Sequence, residues 1–237
     1  MLKRILFLFL ISMIFFYLKA DQTNIKKITE DEKYYPMAKG NLLFFKAYRK
    51  SEPNKLLKVK AEIAGVEKKD GKDYFYFYAP NVNIRYLIRS DEKGVYMRVI
   101  RYPFPIFNFS IEVDIIPEIC FLKFPLKVGT KWEEQAKAKT TFLFIPIERN
   151  IKSSFEIVKR ETIKTETGDI DAYVVHAKID QGDGGEPGIE KYWYGKNLGY
   201  VKADTNVHFA EIVGYSIVDT ETGQKNEKLP EGAEKYE

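Results

Sequence analysis

The sequence predicts a mostly β protein: a curved antiparallel sheet or half-barrel built from two successive meanders, with a minor helix at most. Three observations carry this expectation. Apolar residues recur with a period of two over most of the chain after residue 33, the signature of half-buried strands. Aromatic residues make up 15% of the sequence, with 17 Phe and 16 Tyr, and large flat side chains are favoured where strands pack across their neighbours. Finally, YPMAKGNLL at 35–43 returns in altered form as FPLKVGTKW at 124–132. One domain over 34–218 with halves at about 34–120 and 121–218 follows from that recurrence.

The first twenty residues are read as a secretory signal peptide. Lys3 and Arg4 precede an apolar run from Ile5 to Leu18, and Leu18 and Ala20 stand at −3 and −1 of a cleavage before Asp21. An uncleaved anchor is the alternative, since Leu is only a fair −3 residue. The run is shorter than the roughly 20 residues of a spanning helix, so no transmembrane span is expected after cleavage. Loss of Lys3, Arg4 and Lys19 takes the net charge from +4 to about +1. Lysines and glutamates alternate, as in KVKAEIAGVEKKDGKD (58–73), without the concentrated basic face of a nucleic-acid binder. Nucleic acid is therefore excluded as a partner, and a bacterial periplasmic location is expected.

Residues 21–33 read as a flexible leader. Strands are then expected at 42–48 and 56–66 around the turn-rich SEPN, and at 74–78 after Asp70-Gly71. In YFYFY, Tyr74, Tyr76 and Tyr78 face one side while Phe75 and Phe77 face the other. Strands at 84–89 and 95–101 pair across SDEKG. Pro103, Pro105, Pro117 and Pro125 interrupt the apolar stretch 102–127. Because proline removes a ladder donor, this stretch is assigned to a crossover with a short strand near 109–113. Further strands are expected at 132–143, 154–161, 163–167, 172–179, 190–194, 200–203 and 207–218, with a loop at QGDGGEPG (181–188). The charged tail 219–237 lacks large apolar clusters and is expected to be disordered.

In both corner copies, Pro36 and Pro125 fix an extended approach. Met37 and Leu126 plug the core, and Gly40 and Gly129 permit a left-handed turn. Phe124 to Trp132 also fits aromatic-Pro-Leu-x-x-Gly-x-x-Trp, followed by TIKTETGDIDAYVV (162–175) and by WYGKNLGYVK (193–202), which carries Trp193 and Gly199. In order and approximate spacing, these segments resemble the TapB family of exported type IV pilus accessory proteins and its periplasmic relatives, over about 121–203. The resemblance implies a curved sheet of the kind found in the carriers LolA and LolB, and no catalytic site. Leu43 stands where the second copy has Trp132, so the duplication is not a verbatim one.

No catalytic residue, metal site or cofactor is expected. Cys120 is the only cysteine, so an intrachain disulfide is impossible. It lies in the apolar run IPEICFLKF and reads as a small buried hydrophobe rather than a nucleophile for His176 or His208. Asp180, Asp183 and Glu186 lack calcium-loop spacing; Asp169 and Asp171 read as solvated turn carboxylates. Ligand sites are concave, mainly apolar and aromatic, which nominates Tyr76, Tyr78, Tyr86, Phe104, Phe107 and Trp132 as a lining, with the proline-rich stretch as a wall. The expected function is an exported, non-enzymatic envelope protein binding an apolar molecule such as a lipid or acyl chain. The alternatives are a protein–protein module with an envelope partner in envelope or pilus assembly and, less favoured, a hydrolase.

Overall fold

Each strand in this chain pairs with the one that follows it, and the twelfth returns to pair with the first. The computed structural model describes residues 29–82, 84–103, 110–142, 144–180, 187–219 and 222–236. The strands are β1 (Leu42–Arg49), β2 (Leu57–Lys69), β3 (Lys72–Ala79), β4 (Ile84–Asp91), β5 (Gly94–Pro103), β6 (Ser110–Lys123) and β7 (Lys131–Phe142). They continue as β8 (Ile145–Thr165), β9 (Gly168–Asp180), β10 (Glu190–Gly195), β11 (Gly199–Asp204), β12 (His208–Val218) and β13 (Lys225–Lys228). Pairing of β1 with β12 closes a twelve-stranded antiparallel barrel, and β13 adds to β12 beyond the short β11. The expected sheet is thus closed rather than open: Leu42 to Arg49 find partners in Ser216 to His208, a pairing too distant in sequence to leave a local signal.

Residues directly opposite across a ladder point to the same side, so the register traces the inner face. Phe45 is opposite both Val59 and Ile212, Ala210 opposite Ala203, Ala203 opposite Tyr192, Tyr192 opposite Val175, and Val175 opposite Ile157. In the other direction Ile63 faces Phe77, Phe77 faces Tyr86 and Tyr86 faces Ile100. The inward residues interlock into one large core around Trp132, Phe155, Ile157, Val175 and Tyr194 and a second around Phe45, Val201 and Ile212.

The repeated corner is repeated in hydrogen bonds. Gly40 N–H donates to Ile63 O at 2.8 Å and Ile63 N–H to Asn41 O at 3.0 Å; Gly129 N–H donates to Ile157 O at 2.7 Å and Ile157 N–H to Thr130 O at 3.0 Å. Both glycines are left-handed, with φ of 91° and 89°. A bulge follows each isoleucine, between Ile63 and Gly65 and between Ile157 and Lys159. A second matched pair of bulges follows Leu87 in β4–β5 and Trp193 in β10–β11. The barrel is therefore built from two six-stranded units, β1–β6 and β7–β12. Leu43 and Trp132 occupy the same place, opposite Ala61 and Phe155, and both are buried.

Three other expectations need correction. Within the stretch assigned to a crossover, Ser110–Lys123 forms β6, because Pro117 falls between Asp114–Ile116, which pair with β7, and Ile119, which pairs with β5; no ladder bond is asked of its missing N–H. Pro146, in the gap left between the expected strands at 132–143 and 154–161, lies inside β8 opposite Thr141 of β7. Within the tail, read as disordered, Lys225–Lys228 forms β13 against β12, and Tyr236 is buried edge-on against Phe44 at 5.5 Å under Lys58. Pro230 lies so close to Gly214 that a Cβ there would sit 2.2 Å from its Cδ.

The outer face of β2–β6 carries a charged lattice. Arg98 bonds Asp70 at 2.8 Å and Asp114 at 2.9 Å; Arg101 bonds Glu67 at 2.8 Å and Glu112 at 2.6 Å. Glu118 accepts from Arg89, Lys72 and Tyr74. Burial alone would raise the Glu118 carboxyl, yet these three donors hold it at about 2.

Two predictions follow from this geometry. Gly129→Ala meets no atom but keeps a left-handed φ, so it should cost about 1–2 kcal/mol; Gly65→Ala, equally uncrowded without that φ, should be neutral or stabilise by up to ~1 kcal/mol, both read by urea unfolding. Glu118→Gln should cost about 1.5–3 kcal/mol at neutral pH. Because the folded carboxyl lies below its ordinary 4.5, its contribution is lost as pH falls from there toward 2, and the variant should show a flatter acid limb.

Candidate ligand cavity at the barrel mouth

The lead-in to β1 shares one end of the barrel with the β2–β3, β4–β5, β6–β7, β8–β9 and β10–β11 turns. Across this mouth runs a strap, 29–41. Thr29 and Glu32 open it by reciprocal bonds: Thr29 N–H to Glu32 Oε2 at 2.8 Å and Glu32 N–H to Thr29 Oγ1 at 3.2 Å, the capping-box arrangement. They start a 3-10 turn at Glu32–Tyr34.

The strap is tied down along its length. Asn197 N–H donates to Lys33 O at 2.7 Å. Tyr34 donates its hydroxyl to Asp171 at 2.8 Å and packs edge-on to Tyr173 at 5.0 Å. Arg160 grips the same carboxylate at 2.8 and 2.5 Å; it is the main cause of the lowered Asp171 pKa, with the Tyr34 hydroxyl adding to it against the effect of burial. Tyr35 packs on Phe121 and Tyr194, and Pro36 lies over Gly199, whose φ is 83°. At the far end Asn41 is buried with every polar group engaged. Its side-chain amide donates to Pro36 O at 3.2 Å, its side-chain carbonyl accepts from Val218 N–H at 2.9 Å, and its backbone bonds Ala38 and Ile63.

Between strap and barrel lies a cavity of about 800 Å³. Its apolar surface comes from Tyr35, Met37, Phe75, Leu198, Tyr215 and Ile217. Its polar surface comes from Glu32, Lys33, Asp169, Asp171, Lys196 and Asn197, with Asp219 and Asn226 at the exit of β12. Deeper in, a void of only about 20 Å³ touches Leu43, Ile63, Phe77 and Tyr200, room for about one water molecule. Of these two spaces, the one at the mouth has room for a ligand.

The residues nominated from sequence do not form one lining. Tyr86 and Trp132 point inward but are core: Tyr86 packs on Phe77 at 6.2 Å, and Trp132 stacks on Phe155 at 5.1 Å while its indole N–H donates to Cys120 O at 2.8 Å. Tyr76 and Tyr78 lie on the outer face, stacked on each other at 6.1 Å with Arg85 over Tyr78. Phe104 and Phe107 lie outside the described residues, as do Asp183 and Glu186. The lining residues Met37, Phe75, Tyr215 and Ile217 went unnominated; the alternation in YFYFY, which sets Phe75 and Phe77 opposite the tyrosines, was the available signal. Trp193, chosen as a corner, donates to Glu161 at 2.8 Å on the outer face beneath Lys202.

Groups suited to bond-making chemistry are dispersed and muted. Burial pushes the Cys120 thiol up to about 12, and its S–H points to Leu122 O. Burial lowers the pKa of both His176 and His208, and His208 is bonded to the Thr205 hydroxyl. Among the described residues no cluster of His, Cys, Asp and Glu could hold a metal ion, and no helix is long and apolar enough to cross a membrane.

Comparison with solved structures places this architecture. A Bacteroides fragilis protein with a YmcC-like fold, taken to be exported, matches with a TM-score of 0.50 and 13% identity over 76% of this chain and 97% of its own. The fold is YmcC-like. Two weaker likenesses are to YmcC itself, a hypothetical lipoprotein of Escherichia coli (TM-score 0.44, 7% identity, 83% and 91% coverage), and to a Parabacteroides distasonis protein taken to be a lipoprotein (0.44, 17%, 77% and 97%). No family model and no curated protein matches the chain. The Bacteroides fragilis likeness agrees with the β-rich class to which the sequence resemblance pointed and does not confirm its finer assignment to TapB or to LolA and LolB.

The strap yields a prediction. Tyr34→Phe or Asp171→Asn should raise hydrogen exchange at the amides of 34–41 by about tenfold, leaving the β7–β8 ladder unchanged. Because the Asp171 carboxyl is lowered by its partners, the native strap should loosen as pH falls below about 4, and Asp171→Asn should be insensitive over that range.

Proposed function

We propose that this chain is an exported, non-enzymatic protein of the cell envelope that binds an apolar or amphiphilic molecule, such as a lipid or acyl chain, in the cavity at the barrel mouth. The observation that carries the reading is the cavity itself. Its volume of about 800 Å³ falls within the range of ligand pockets, roughly 300–1,000 Å³. Its lining combines the apolar Met37, Phe75 and Ile217 with the charged Lys33, Lys196 and Asp169. That mixture suits a ligand with an apolar body and a polar end. Export rests on the signal-like run Ile5 to Leu18.

An assembly module acting through a free sheet edge is less favoured. The outermost strand, β13, is Lys-Asn-Glu-Lys with every residue exposed, and charged, short edges discourage strand addition.

Native mass spectrometry of the chain purified from the exported fraction, followed by solvent extraction, tests the reading: a lipid-class mass is expected, and Met37→Glu should lose it. In titration with a fluorescent fatty acid, Met37→Glu should weaken binding by about tenfold or more, since a carboxylate would be buried against the chain. Equal affinity in a folded variant would remove the cavity from the function.

A further inference from the structure

The end of the barrel opposite the strap has a different character. From there the β7–β8 hairpin projects. Its ladder runs without a break from Lys131 opposite Glu156 to Phe142 opposite Ile145. The β6–β7 ladder ends at Lys139, beyond which the Thr140 hydroxyl still donates to Glu112 O at 2.6 Å. At about 3.3 Å per residue, the tip reaches ~10 Å past the last β6 pair.

What the tip presents to water is apolar. Phe144 is 96% exposed, Ile145 64% and Ile147 39%. Phe144 has φ of 70°, a left-handed conformation that turns usually give to Gly, Asn or Asp. Neither packing nor backbone preference accounts for a phenylalanine there. Leu56, Ile189 and Val207, each at least half exposed, come from three other connections at the same end, so the apolar tip rises from an apolar rim.

Behind the tip stands a basic collar. Over 137–152 the hairpin carries Lys137, Lys139, Arg149 and Lys152 against a single acid, Glu148, which bridges Lys137 at 2.5 Å and Lys139 at 3.2 Å. We infer that the β7–β8 hairpin is a docking wedge for an anionic lipid bilayer, with Phe144 and Ile145 entering the interface and the collar meeting the headgroups. Apolar side chains backed by basic residues match the two layers of such a surface, a hydrocarbon edge beneath a negative potential. The inference is independent of the cavity, which opens at the other end.

The test uses the full chain with Phe144→Trp, mixed with phosphatidylglycerol vesicles carrying brominated acyl chains. Because Ile5 to Leu18 could itself bind lipid, the readout is local to the tip; the buried Trp132 and Trp193 give a constant background. The introduced indole should shift its emission to shorter wavelength and be quenched by bromine. Adding Arg149→Gln or Lys152→Gln should raise the lipid concentration for half-effect by about five-fold each, and phosphatidylcholine vesicles should be much less effective. Water-like, unquenched emission in the anionic vesicles would overturn the proposal. So would an emission shift produced only by delipidated envelope protein, which would make the occupant a protein.

Discussion

The pairing of β1 with β12 is the constraint on which the rest of this molecule depends. It holds the two six-stranded units in a ring, and it sets which residues face inward on every strand. A slip of one residue would turn Leu43 and Phe45 outward and Lys46 inward. Asn41 stands at the point where this pairing begins, and its four polar groups bind the strap, β2 and β12 at once. A buried amide satisfied in this way specifies one register, because any other leaves polar groups without partners in a dry site. The second unit has Thr130 in the same place, and there the chain only has to turn, not to close a ring.

The corners were legible in the sequence because their chemistry is local. Pro36 and Pro125, Gly40 and Gly129, and the aliphatic plugs Met37 and Leu126 act within a few residues of themselves. The alternation in YFYFY was legible for the same reason. Closure was not, since nothing near Leu42 or Ser216 announces the other. Pro117 and Pro146 misled because a missing N–H matters only where the ladder asks for it, and the register asks for neither. The tail misled because its charge masks Tyr236, one aromatic side chain that finds Phe44 and holds the segment down.

The cavity was less legible than the fold. Its walls come from a strap, the interior faces of β3 and β12, and the tips of two hairpins. The bond that fixes the strap joins Tyr34 to Asp171 across 137 positions. The nominated aromatics were chosen for abundance, yet aromatic residues here serve three places: core at Trp132 and Tyr86, outer surface at Tyr76 and Tyr78, mouth at Tyr35 and Phe75. Only register assigns a given ring to one of them.

Twelve is an even number, and in an up-and-down barrel that places the approach to β1 and the exit from β12 at the same end. The strap and the β13 tail therefore both gather at the mouth, and the other end is made solely of connections between strands. The molecule has a handle and a nose. The described chain therefore enters and leaves the barrel at the handle, and the projecting hairpin points away from both crossings.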